Sequence, residues 1–141
     1  MAIKNKIVII GCGRLGSSIA NLASERGENV IVVDQGSTSF DRLDDNFSGY
    51  KILGDATDIS LLEEDAYITS AREVAICTGD DNVNLFLAHV CALIYEVPQV
   101  FVRFADPSKS SLIAGMPSIK AIYPWELSIN KFTSLEGGND R

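Results

Sequence analysis

At 141 residues, 46% hydrophobic and 22% charged, the chain has the size and composition of one globular domain with no repeat or low-complexity stretch. A formal net charge of -7 at pH 7 lacks the basic footprint that phosphate-backbone recognition needs, so nucleic acid is not an expected partner. The longest apolar run, Leu85 to Tyr95, falls well short of the roughly 20 residues of a membrane span, so direct membrane insertion is not expected either.

The opening Met-Ala-Ile-Lys-Asn-Lys leads straight into a first strand and leaves no room for a secretory signal within these residues. Lys6 to Gly16, Lys-Ile-Val-Ile-Ile-Gly-Cys-Gly-Arg-Leu-Gly, then reads as strand, tight turn and helix start. Such a turn offers backbone N–H groups and a positive helix end to an anion. The missing Cβ at Gly11 and Gly13 is expected to let a pyrophosphate approach the main chain. The glycine spacing alone is a weak signal, but the preceding strand, the following helix and an acid about 20 residues on, Asp34, supply the context it requires.

A helix is predicted over Leu15 to Arg26, stopped by Gly27, and a continuous apolar strand over Asn29 to Asp34. Unbroken apolar strands indicate a parallel sheet covered on both faces. Gln35 to Ser39 reads as a polar turn, Phe40 to Phe47 as a short acidic helix, and Tyr50 to Leu53 as a third strand running into Gly54-Asp55-Ala56-Thr57. Asp58 can cap a helix reaching about Asp65, and Glu73 to Thr78 is a fourth strand followed by the turn Gly79-Asp80-Asp81-Asn82. The next helix, Val83 to Tyr95, is apolar on more than one face, which suggests that one face meets another subunit. Gln99 to Phe104 is a fifth strand, Asp106-Pro107 opens a helix to about Ala114, and Ile119 to Tyr123 is a sixth strand. Pro124 starts a last helix carrying Trp125, Ile129, Phe132 and Leu135, ended by Gly137 and Gly138 with a frayed tail. Strand and helix alternate six times, which predicts a Rossmann-type doubly wound α/β domain with sheet order 3-2-1-4-5-6 and no second domain.

In such a sheet a ligand lies beyond the carboxyl ends of the strands, where the order reverses. Asp34 is placed to accept both hydroxyls of an adenosine ribose and to repel a 2′-phosphate; its removal is expected to weaken binding and spare the fold. Arg14 either reaches a phosphate, crosses to a neighbouring chain or covers the helix start in solvent. Asp55, Ala56 and Thr57 either frame an adenine or form a plain strand-to-helix turn. Arg103 requires a counter-charge, a phosphate or a local acid. Asp80 and Asp81 read as helix caps rather than metal ligands, and His89 as a packed or interface side chain rather than a base. Cys12, Cys77 and Cys91 are odd in number and far apart, and read as small hydrophobes of a reducing compartment, with the cytoplasm as default. None of Tyr50, Tyr67, Tyr95 and Tyr123 has a lysine four residues on, and no Gly-Lys-Ser or Gly-Lys-Thr follows the glycines. The site reads as one that holds a nucleotide without reacting it. An NAD(H)-dependent oxidoreductase module with its substrate site elsewhere is the alternative.

Taken together, Gly11 to Gly16, Val-Val-Asp34, Gly54 to Thr57, Thr78 to Asn84, Val102 to Pro107 and Tyr123 to Leu127 resemble the regulator-of-K+-conductance N-terminal domain family, also called TrkA-N, of TrkA/KtrA-type potassium-uptake regulators. The resemblance implies a non-enzymatic cytoplasmic subunit that binds NAD(H) or ATP, ADP or AMP. It implies assembly as a homo-oligomer, dimer or ring, beneath a membrane K+ transporter or channel; a K+/H+ antiporter is the other partner it allows. By motif, Gly11, Cys12, Gly13, Arg14, Leu15 and Gly16 hold the phosphates, Asp34 and Gln35 the ribose, and Asp55, Ala56 and Thr57 the adenine. Thr78 and Gly79 take the far side of the ligand and Arg103 a phosphate. The chain departs from the family where Trp125 directly follows Pro124 and the acid comes one later, at Glu126. The expected organisation is a nucleotide-binding domain over 1–124 and a C-terminal helix over 125–141 used in subunit contact; the second ligand-binding domain that usually follows in the family is not among these residues, which fits either a single-domain member or a piece of a longer chain.

Overall fold

The computed structural model describes residues 3–137. Six parallel strands form one sheet in the order β3-β2-β1-β4-β5-β6, with β1 at Lys6–Ile10, β2 at Asn29–Asp34, β3 at Tyr50–Leu53, β4 at Ala71–Ile76, β5 at Gln99–Arg103 and β6 at Ile119–Ile122. Four α-helices accompany them: α1 (Arg14–Glu25), α2 (Ile59–Glu64), α3 (Asp81–His89) and α4 (Pro124–Gly137). The predicted sheet order and domain class are therefore those of the structure.

The strands sort their side chains by parity, because successive Cβ atoms point to opposite faces. Ile7 and Ile9 of β1, with Val30 and Val32 of β2 and Ala75 of β4, pack against Ala20 and Ala23 of α1. Val8, Ile10, Ile31, Val33, Val74, Ile76, Val100 and Val102 face the other way, onto Leu62 of α2 and Leu87, Ala88 and Cys91 in and beyond α3. Crossovers on one face before β3 and on the other after it put a switch point between β1 and β4, which opens a crevice at the strands' carboxyl ends.

Several local expectations shift. The acidic helix predicted at Phe40 to Phe47 is instead a 3₁₀ turn at Ser37–Arg42. Two contacts account for this: Asp34 Oδ1 takes the Gly36 N–H and starts the turn early, and Asn21 Oδ1 takes the Asp44 N–H and holds the segment after Leu43 against α1. The helix opened by Asp106 is also 3₁₀, Pro107–Ile113, and a further 3₁₀ turn, Ile68–Ser70, precedes β4. β4 begins two residues earlier than predicted and ends at Ile76, because Thr78 is drawn out of the ladder by its own side-chain bonds. α3 begins at Asp81 rather than Val83 and continues as a π-helical turn, Val90–Ile94, where Tyr95 N–H reaches back five residues to Val90 O. Its apolar faces are unequal: Leu87, Ala88, Val90 and Cys91 are buried, whereas Phe86, Leu93 and Ile94 are exposed. α4 starts at Pro124 as predicted and buries none of its residues. Gly138 and the tail read as frayed lie outside the described residues.

Candidate functional site

The crevice at the switch point is a cleft of about 290 Å³ lined by residues at the ends of β1 to β4 and in the turns that follow them, including Gly11, Gly13, Asp34, Gln35, Ala56, Thr78 and Gly79. Asp55 and Thr57 also line it, together with Ile10, Val33, Ser39, Gly54, Cys77 and Val83. Nine of the fourteen residues singled out from the sequence thus share one wall system. The other five, Cys12, Arg14, Leu15, Gly16 and Arg103, do not line it.

The glycine turn divides its labour differently from expectation. Gly11 has φ +95°, and a Cβ there would lie 2.8 Å from the Cys77 carbonyl and the Thr78 nitrogen, so its glycine serves the turn and the passage of β4. A Cβ on Gly16 would sit 1.8 Å from the Gly11 carbonyl oxygen, which makes Gly16 the packing contact between α1 and the turn. Only at Gly13 is there open space, with nothing within 4 Å of an added Cβ. Gly13 is also the N-cap of α1 and offers no side-chain cap, and the first turn carries no acid. The N–H groups of Gly13, Arg14, Leu15 and Gly16 have no protein acceptor among the described residues, the state of a helix start without a side-chain cap, which leaves them free for an anion.

Cys12 and Leu15 contribute no side chain to the cleft. The Cys12 side chain is fully buried and Leu15 is packed against the α1-side core, so neither side chain turns to the cleft. The Cys12 N–H donates to Asp34 Oδ2 at 2.7 Å, while Gly36 N–H donates to Asp34 Oδ1 at 2.8 Å. Asp34 is therefore half-buried at the cleft with each oxygen already taking one amide and a remaining lone pair on each. Its carboxylate ties the glycine turn to the end of β2, a structural role beside the binding one expected of it.

Asp55 folds back on Thr57, accepting its N–H at 2.9 Å and its hydroxyl at 2.7 Å. These bonds, the side-chain one first, hold the Asp55 carboxyl below the ordinary carboxylate value. The α2 cap is Asp58, whose carboxylate takes Ser60 N–H, as predicted. Ala56 is buried at the cleft floor.

Arg14 is exposed at the head of α1, free of any carboxylate among the described residues. Arg103 is half-buried, and the local acid expected as its counter-charge is absent among those residues. Its Nη1 donates instead to the Thr78 carbonyl at 3.0 Å, because β5 ends beside the β4 turn with Asp81 already engaged elsewhere. Asp80 caps α3 through the N–H groups of Asn82 and Val83, and Asp81 accepts those of Ala105 and Asp106, so both acids are committed to backbone. His89 is half-buried, with its Nε2 3.0 Å from Leu112 O. All three cysteines are buried and free, and burial pushes the Cys77 and Cys91 thiols up to about 12.

In the sequence reading Ser39 has no place at the site, and Val83 and Asn84 have only a place in the Thr78 to Asn84 stretch, without a role. Ser39 sits in the 3₁₀ turn that replaced the predicted helix, so its approach to the cleft followed from a misplaced element. A larger groove of about 570 Å³ lies under β3, lined by Tyr50, Ile52, Tyr67 and others. None of its lining residues is the N-cap of an α-helix, whereas the smaller cleft includes Gly13, the N-cap of α1.

A family model described as the TrkA-N domain matches residues 7–124. The Trk system potassium uptake protein TrkA of Streptomyces coelicolor is 35% identical over 118 residues, covering 82% of this chain and 52% of that protein. The chain spans about half the length of the curated relatives it matches. Among solved structures, the TrkA-N domain of inner membrane protein ybaL from Escherichia coli superposes with a TM-score of 0.81 at 14% identity, over 96% of this chain and 98% of that one. The GsuK channel bound to NAD gives 0.79 at 23% identity, over 93% of this chain and 23% of that one. The Shewanella denitrificans Kef CTD in AMP-bound form gives 0.74 at 22% identity, over 96% and 84%. These structural likenesses carry the fold, and the family match, which runs from the second residue of β1 to the start of α4, carries the kinship: the chain belongs to the TrkA-N domain family.

Proposed function

We propose that this chain is the nucleotide-sensing domain of a K+ uptake regulator, binding NAD(H) or ATP, ADP or AMP in the cleft at the switch point. The observation that carries the reading is the meeting, in one cleft, of Gly13, the uncapped N-cap of α1, with the Asp34 carboxylate at the end of β2. The amides of Gly13 to Gly16 take a phosphate, with Gly11 shaping the turn and the Cys12 amide fixing Asp34. Asp34 and Gln35 take the ribose and disfavour a 2′-phosphate. Asp55, Ala56 and Thr57 border the adenine, and Thr78 and Gly79, backed by Arg103, face the rest of the ligand. Arg14, exposed at the rim, reaches a phosphate of its own or a neighbouring copy's ligand. Nucleotide-bound neighbours of the same fold, one with NAD and one with AMP, support the ligand class.

The cleft-lining residues among those described include no Tyr, His or Lys, the proton donors a hydride-transfer site would use, which favours sensing over turnover. Trp125, Leu127, Ile129, Phe132 and Leu135 of α4 are all more than half exposed, an apolar surface suited to a second copy of this chain. In this reading residues 1–124 form the nucleotide-binding domain and the segment 125–141 supplies the subunit contact through α4. Binding shifts the geometry between copies, and the shift reaches a membrane K+ transporter or channel from its cytoplasmic side. A ligand moves such an equilibrium only by its difference in affinity between the two states. No helix among the described residues is long and apolar enough to cross a membrane, which fits a peripheral place.

The test is a thermal-shift panel of AMP, ADP, ATP, NAD+, NADH and NADP+. At a concentration about 100 times its Kd a ligand adds about 2.7 kcal/mol, an easily read rise in melting temperature. The reading expects a rise with adenosine nucleotides whose 2′-hydroxyl is free and little with NADP+. No rise with any of them counts against it, and turnover of NADH with simple carbonyl compounds favours the oxidoreductase alternative.

A further inference from the structure

Asn84, in the second turn of α3, is 0% exposed, the more deeply buried of the two buried polar side chains among the described residues. Its Nδ2 donates to the carbonyls of Thr78, at 3.0 Å, and Arg103, at 2.8 Å, and its Oδ1 accepts the Thr78 hydroxyl. Two carbonyl acceptors on one side fix which end of the amide is nitrogen. Arg103 Nη1 also donates to Thr78 O, so this one carbonyl is held by two donors and has no lone pair left for a ligand. The unit therefore presents donors: the cleft-lining Thr78 and Gly79 have N–H groups with no protein acceptor among the described residues, and the guanidinium charge stands behind them. That charge is not neutralised by any carboxylate within 4.0 Å among those residues, and its field reaches Cys77, which lines the cleft.

Sheet order turns these positions into a ruler. Asp55 to Thr57 follow β3, Asp34 ends β2, the glycine turn follows β1, Thr78 follows β4 and Arg103 ends β5. With neighbouring strands about 4.8 Å apart, Thr78 stands roughly 5 Å past the glycine turn and Arg103 roughly 10 Å past it. A ligand with its ribose at Asp34 and first phosphate at the α1 amides extends its next group over β4.

We propose that Asn84 is a positioning residue that makes the β4 side of the cleft select for a second phosphate, so that a nucleoside diphosphate is preferred over the monophosphate. The inference rests on the nucleotide reading above and adds to it the part of the ligand that is discriminated. The experiment is calorimetric titration of the wild-type chain, Asn84→Ala and Arg103→Gln with ADP and AMP, each variant first checked for folding by circular dichroism. The wild type should bind ADP at least about tenfold tighter than AMP, and each variant should lower that ratio about tenfold, one phosphate contact's worth. A merely structural role weakens both ligands together and leaves the ratio unchanged, which overturns the proposal, as does a wild-type ratio near one. Should Asn84→Ala not fold, Arg103→Gln decides the matter by the same ratio. A wild type that binds neither nucleotide refutes the underlying reading, an outcome distinct from an unchanged ratio.

Discussion

Replacing Asp34 by alanine removes one side chain but orphans two backbone donors. The Cys12 N–H, 2.7 Å from Oδ2, belongs to a residue that is fully buried, so water cannot take over the bond. A buried donor left without a partner costs about 1–3 kcal/mol. The Gly36 N–H, 2.8 Å from Oδ1, is at a half-buried residue where water can substitute, so its loss is nearer 1 kcal/mol. Together Asp34→Ala should destabilise the domain by about 2–4 kcal/mol, which for a chain of this size lowers the melting temperature by roughly 6–12 °C. Asp34→Asn keeps one acceptor oxygen and turns an NH2 toward the other amide, so it should lie between wild type and alanine. Urea unfolding followed by circular dichroism, extrapolated linearly to water, measures both differences. A loss below about 0.5 kcal/mol for the alanine variant would refute the structural role argued for this carboxylate.

Other consequences are sharper in direction than in size. Gly16→Ala forces a Cβ against the Gly11 carbonyl, backbone against backbone with no flexible side chain to yield, and should cost at least about 3 kcal/mol; Gly13→Ala, with open space around it, should cost under about 1 kcal/mol in the same unfolding assay. Cys77, its thiol pushed up to about 12 by burial, should resist alkylation by iodoacetamide at pH 8 in the native state and react once urea unfolds the chain. Rapid native labelling would contradict its placement. Asp55, whose bonds to Thr57 depress its folded carboxyl below the unfolded value near 3.8, contributes stability that is complete above that value and fades as pH falls through the folded one. Carboxyl chemical shifts should show it titrating below a model aspartate in wild type and closer to one in Thr57→Ala.

Much of this architecture is written in plain alternation of apolar runs and helical spacings. Val8 and Ile10 against Ile7 and Ile9 announce a strand buried on both faces, and the acid ending Val-Val-Asp34 marks where the second strand meets the cleft. What the sequence conceals is how polar side chains spend their bonds. Asp34 reads as a free ribose acceptor because nothing local shows that the Cys12 amide, 22 residues away, reaches it. Arg103 calls for a negative partner on charge grounds, yet finds a carbonyl, because Asp81 is consumed by the amides of Ala105 and Asp106. The 3₁₀ turn at Ser37–Arg42 was obscured for the same reason: the Asp34 side chain, not the local propensity of Phe40 to Phe47, sets where it begins. Asn84 closes the quoted stretch Thr78 to Asn84 but carries no role in the sequence, and a buried amide with every donor engaged becomes visible only when β4 and β5 are side by side.

The central claim, that an adenosine nucleotide is clasped between the α1 amides and Asp34, is tested most directly by titrating ADP into the isotopically labelled protein and following its backbone amide resonances. The account predicts saturable shifts at Gly13 to Gly16, Asp34 to Gly36, Asp55 to Thr57 and Thr78 to Gly79. Shifts confined to Tyr50, Ile52 and Tyr67 in the groove beneath β3, or none at millimolar ADP, would contradict it.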